Sequence, residues 1–176
     1  MHIPILESER LRLRGWQQED LDSFAELCAD ERFTRYMGNS KPLDKMESWK
    51  AMAALVGHWH LKGFGLWLVE IKETSEFIGR IGLYEPEGWP AVEVGWGISP
   101  KHWGKGYATE GTKIAMKWGF ETLKLESLIS VIHPENEASI KVANRIGEKF
   151  SRYEVVKDIE CAIYQISKNE YEKMYG

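Results

Sequence analysis

The sequence predicts one α/β (α+β) domain: a mixed, mostly antiparallel central sheet of six to seven strands flanked by helices. The 176 residues suit a single unit spanning 1–176, and no repeat, low-complexity tract or Ser/Pro-rich linker divides them. Short β-rich stretches alternate with helix-periodic ones. Tight turns at Lys72–Ser75 and Pro86–Pro90 fold neighbouring strands into an antiparallel meander.

The elements follow in order. Glu9–Arg14 alternates strictly, with Leu11 and Leu13 on one face, and reads as the opening strand. Leu21, Phe24, Ala25 and Leu27 recur at helical spacing across Gln18–Ala29, and Asp30–Tyr36 adds a further helical turn. Pro42 opens a helix that Met46, Trp49, Met52, Ala53 and Val56 carry to His60. Gly65–Ile71, Glu76–Tyr84 and Ala91–Ile98 form the meander. A long helix, Gly106–Leu123, is followed by strand Glu126–His133 and helix Asn136–Ile146. Strands Arg152–Val156 and Ile159–Ile166 and a helical tail, Lys168–Tyr175, close the chain.

Composition narrows the function. Hydrophobic residues at 43% and charged residues at 28% describe an ordered globular chain. A net charge of −4 argues against a nucleic-acid coat, which needs a basic face to neutralise phosphates. Cys28 and Cys161 are too few for a disulfide framework, and neither a cationic leader nor a bilayer-length apolar run is present, so a cytoplasmic protein without membrane contact is expected. His58 and His60 point to different sides of their helix without a third ligand, so no metal is expected.

The segment richest in chemistry begins at Ala91–Ile98. Alternation puts Val92, Val94, Trp96 and Ile98 on a core face, and Ala91, Glu93, Gly95 and Gly97 on a face bare but for one carboxylate. Glycine within a strand marks close approach of a ligand or another backbone. The strand leads through Ser99, Pro100, Lys101 and His102 into Trp103-Gly104-Lys105-Gly106-Tyr107-Ala108, where a long helix begins. Glycines there permit positive φ, and free N–H groups at a helix start suit a pyrophosphate. The spacing fits neither a Rossmann fingerprint, since Thr109 stands where the third glycine belongs, nor a P-loop. Two glycines alone also fit a plain turn and cap.

Trp103–Ala108 followed by Thr-Glu-Gly resembles the acetyl-CoA loop of the GCN5-related N-acetyltransferase superfamily, whose pattern is Gln/Arg-x-x-Gly-x-Gly/Ala. Gly106 and Ala108 match its last two fixed positions, and Trp103 replaces the usual Gln or Arg. The WGKGYATE string is similar to the branch of ribosomal-protein N-terminal acetyltransferases. SERLRLRGWQQEDLDSF, FIGRIGLY, VEVGWGISP and Asn136–Gly147 extend the likeness over nearly the whole chain.

The resemblance implies a V-shaped cofactor cleft between the fourth and fifth predicted strands. It implies that the backbone of Gly97, Ile98 and Ser99 binds the pantetheine arm of acetyl-CoA, and that Gly104, Lys105, Gly106, Tyr107 and Ala108 hold the pyrophosphate. Glu93 corresponds to the acidic position that takes the amine proton or positions the amine. The family's tyrosine acid is replaced by Ala143, and Ser139 takes the place near the thiol, with Asn136 beside it; both also read as helix-start residues. Glu148 stands where relatives carry Phe.

The expected activity is acetyl transfer from acetyl-CoA to a primary amine in a ternary complex, without a covalent enzyme intermediate. Acceptors in view are a protein N-terminus, a polyamine or an aminoglycoside-like amine. Trp16, Trp59, His58, His60, Trp67 and Trp89 are candidates to line their groove, although aromatics on such faces usually pack. A homodimer through the last strands is compatible with the sequence. The rival reading is a non-catalytic acyl-CoA-binding sensor, for which the missing tyrosine leaves room.

Overall fold

The computed structural model describes residues 3–38 and 40–176. Eight strands form one sheet, so the expected six to seven is corrected upward. The addition is β1 (Leu6–Glu7), two residues paired to β2 (Leu11–Arg14), which occupies the predicted first strand. The meander is β3 (Leu66–Ile71), β4 (Phe77–Tyr84) and β5 (Glu93–Ile98). Beyond it stand β6 (Ser127–Ile132), β7 (Lys149–Val156) and β8 (Ile159–Ser167), in the spatial order β1-β2-β3-β4-β5-β6-β8-β7. Among the described residues only β5 and β6 run parallel.

On one face lie α1 (Leu21–Cys28), α2 (Glu31–Thr34) and α3 (Lys45–Lys62), around Phe24, Leu27, Phe33, Met52, Leu55 and Leu66. On the other, α4 (Tyr107–Glu121) packs Ala115, Met116 and Phe120 onto Leu11, Ile81, Leu83, Val94 and Ile98. The helix lies close because a Cβ on Gly111 would come within 2.5 Å of Ile81 Cδ1. Two shorter helices, α5 (Glu137–Arg145) and α6 (Lys168–Tyr175), complete the chain.

The predicted start of the second long helix at Pro42 gives way to Lys45. Asp44 caps α3, accepting from the Glu47 N–H at 2.8 Å, while Glu47 accepts from the Asp44 N–H at 2.9 Å. This reciprocal box satisfies two N–H groups that Pro42 leaves unaided. The seventh strand begins at Lys149 rather than Arg152, with a register irregularity between Phe150 and Arg152 that blurs its alternation.

Candidate active site

The defining feature is a fork between β5 and β6. Their ladder consists of the single pair Glu93↔Ile129, beside which the Ile129 N–H donates to the Val92 carbonyl at 3.1 Å. One residue on, the Ser130 hydroxyl donates to the Val94 carbonyl at 2.9 Å, and there the strands part. The Ser99 N–H donates to the Ile78 carbonyl of β4 at 2.7 Å. Alternation along an antiparallel ladder therefore turns the backbone groups of Val94, Trp96 and Ile98, not those of Gly97 and Ser99, toward the fork. The Ile98 carbonyl is already taken by the Trp103 indole N–H at 2.7 Å. Trp103 thus ties the glycine loop to the end of β5.

Gly104 and Gly106 adopt φ of 76° and 83°, a region that favours glycine. Gly106 caps α4, and Glu110 is the first residue of the helix to donate backward, to the Gly106 carbonyl at 3.0 Å. The N–H groups of residues 104–109 meet no acceptor among the described residues. They form a cradle fitted to a pyrophosphate, reinforced by the helix dipole. Lys105 places Nζ 3.4 Å from His102 Nδ1, while His102 Nε2 lies 3.0 Å from Glu76.

A brace not anticipated from the sequence holds this loop. Arg10 donates from Nη2 to the Lys105 carbonyl at 3.0 Å, and from Nε to Glu110 at 2.7 Å. Its guanidinium lies 4.5 Å from the centre of the Tyr107 ring. Glu110 also accepts from the Ser8 hydroxyl at 2.7 Å and the Arg10 N–H at 3.0 Å. Burial opposes its charge, yet these donors outweigh burial and lower its pKa. The signal lay in ERLRLR and WGKGYATE, far apart in sequence and uninformative singly.

Two carboxyls flank the fork on opposite faces. Glu93 stands on the α1–α3 side with Gly97, whose Cβ would meet Phe33 and Met37 at 3.0 Å. It accepts from the Trp89 indole at 2.7 Å and from the Val131 N–H at 3.4 Å. Burial still pushes its pKa up to about 7 against those donors. Glu148 lies beside Ser130 on the α4–α5 side, 2% exposed, with neither oxygen hydrogen-bonded among the described residues. Burial and the Glu93 charge push it up to about 8.

At the mouth of the fork Asn136 Oδ1 caps α5, accepting from the Ser139 N–H at 3.2 Å. The half-buried Ser139 hydroxyl meets no protein partner among the described residues. Tyr36, just beyond α2, rests its ring 5.1 Å from His133, just beyond β6. Of the aromatic groove candidates, Trp89 alone touches Glu93. Trp59 and Trp67 are core, edge to face at 4.7 Å, and Trp16 packs on Phe24 at 5.0 Å. His58 holds the Phe64 carbonyl at 2.8 Å and accepts from the Glu85 N–H at 3.0 Å, which spends both ring nitrogens on the fold. His60 is exposed.

A sheet forked between two parallel strands, with a glycine-rich helix start on one face and an acid on the other, defines an acetyltransferase of the GNAT class. The chain belongs to that family: the acetyltransferase (GNAT) domain model matches residues 10–149. An uncharacterized N-acetyltransferase, p20 of Bacillus licheniformis, is 30% identical over 94% of this chain and 97% of its own. An acetyltransferase structure from Agrobacterium tumefaciens superposes with a TM-score of 0.84 at 34% identity, covering 94% of this chain and 95% of that one. The ribosomal L7/L12 alpha-N-protein acetyltransferase in complex with coenzyme A shares the fold, with a TM-score of 0.78 at 15% identity over 93% and 98% of the two chains. Acetyltransferases of this family use acetyl-CoA, which the cradle at residues 104–109 fits. Among the described residues no helix is long and apolar enough to cross a membrane.

Proposed function

We propose that this acetyltransferase moves the acetyl group directly from acetyl-CoA to a primary amine, with both substrates bound together at the fork. The observation that carries the reading is Glu93, half-buried where β5 and β6 part and held by Trp89 and Val131. An amine arrives as ammonium and attacks only after losing a proton; a carboxylate titrating near neutrality suits that task. The backbone of residues 104–108 holds the pyrophosphate, and Trp96 and Ile98 present backbone groups to the pantetheine arm. Asn136 and Ser139 stand at its thiol end. Cys28 and Cys161 are buried with raised thiol pKa, which disfavours a covalent acetyl-enzyme.

The acceptor is a protein N-terminal amine or a small amine of the polyamine or aminoglycoside kind, attracted by the acid at the fork. Two free, buried thiols suit the reducing cytoplasm. A homodimer would cover β7, the outer strand, which exposes Phe150, Tyr153 and Val155. Calorimetric titration with acetyl-CoA, followed by thiol release against peptides, polyamines and aminoglycosides, tests the enzyme reading. Binding with release on one class supports it and names the acceptor. Binding without release on any class favours the sensor, which Ala143 in place of the tyrosine acid would explain. No binding overturns both.

A further inference from the structure

A buried carboxyl without a hydrogen-bond partner is expensive, because the group has left water and gained nothing in return. Glu148 is such a group: 2% exposed, both oxygens unpartnered among the described residues, just ahead of β7 and beside the Ser130 hydroxyl that marks the parting of β5 and β6. The hydroxyl gives its proton to the Val94 carbonyl and is not spent on the acid. Leu128 and Ile132, which share the Ser130 face of β6, pack with Ile146 and Ala143, so Glu148 stands on the side of the sheet that carries α4 and its pyrophosphate cradle. Glu93 occupies the opposite face at the same level of the fork.

Resting on the acetyl-transfer reading, we propose that Glu148 is the proton donor to the departing CoA thiolate, working across the fork from Glu93. The amine nitrogen forms the C–N bond as the C–S bond breaks and its electron pair passes to sulfur. Glu93 receives the proton that leaves nitrogen, and Glu148 delivers one to sulfur. The incoming ammonium first loses one proton to solvent by way of Glu93; the second, shed as the amide forms, returns from Glu93 to Glu148, so the pair resets with one proton released to solvent per turnover. Ala143 removes the tyrosine that would otherwise serve, and the Ser139 hydroxyl orients the sulfur.

An acid titrating near 8 is protonated at neutral pH and close to the ordinary thiol value of about 8.5, the match that proton transfer favours. The groups around it are few. Glu93 from β5 acts on it by charge and Ser130 from β6 by its hydroxyl; Tyr164 of β8 pairs with Ser130.

Glu148→Gln tests the assignment, with Glu148→Met as a second variant should Gln not fold. The expected result is unchanged acetyl-CoA affinity, kcat at least tenfold lower, and loss of the alkaline limb near pH 8. Wild-type kcat with that limb intact overturns the proposal. An infrared titration supplies a readout independent of any acceptor. The wild type should show a protonated-carboxyl band that fades between pH 7 and 9, shifts when acetyl-CoA binds, and is missing from Glu148→Gln. A band unmoved by acetyl-CoA, or faded already by pH 6, overturns the proposal. Absence of thiol release from the wild type with a band that does shift instead faults the transfer reading.

Discussion

Glu93 illustrates what one residue can reveal and conceal. Its role as the lone acid on a bare strand face was legible from alternation alone, since Gly95 and Gly97 left nothing else there. Its raised pKa was not, because that depends on burial at the fork outweighing the Trp89 and Val131 donors that favour the carboxylate. A base that must be ionised gives kcat/KM an acid limb, so the rate should fall about tenfold per pH unit below pH 7. Glu93→Gln should remove that limb and lower kcat/KM about 100-fold, as a pH–rate profile would show. Trp89→Phe takes away a donor that stabilises the carboxylate, so the limb should move to higher pH. Glu148 was visible only as a departure from the family pattern; that it is buried and unpartnered emerges from where α5 meets β6.

At the scale of elements, the helix periods and the meander were readable because each is written locally, in apolar spacing and turn residues. Boundaries set by caps were less so: the Asp44–Glu47 box, not Pro42, starts α3. Close packing of α4 rests on Gly111, whose missing Cβ admits Ile81 and which no apolar period marks. The brace from Arg10, just ahead of β2, to the glycine loop joins residues about 100 positions apart and leaves no local signature. Arg10→Ala should raise KM for acetyl-CoA about tenfold with kcat little changed, because the brace shapes the cradle and not the fork. Gly106→Val should weaken binding further and lower stability by about 1–3 kcal/mol, measured by denaturant titration, since a branched residue must hold φ near 83°.

For the whole molecule, the class of fold and the sequence of elements along the chain followed from a pattern spread over nearly all 176 residues. The short β1 leaves no mark in that pattern because two residues carry no period. The two raised carboxyls give the domain an uncommon pH response. A folded pKa above the unfolded value adds stability at low pH that is lost as pH climbs through the folded value. Tm should therefore decline as pH rises from about 4.5 to 8 and level off above, less steeply in Glu148→Gln. Acetyl-CoA at 100 times its Kd should add about 2.7 kcal/mol to the folding free energy, visible as a rise of several degrees in Tm.

The fork also has a dynamic consequence. With one rung between β5 and β6, the sheet is two leaves, β1–β5 and β6–β8–β7, bound along a short spine. Leaves joined so sparingly can part without melting either one, and such local openings govern the exchange of amide hydrogens with solvent. A ligand seated between them would bind the book shut. Amides of β6 should accordingly exchange with deuterium faster than those of β3 and β4, and slow the most when acetyl-CoA is added.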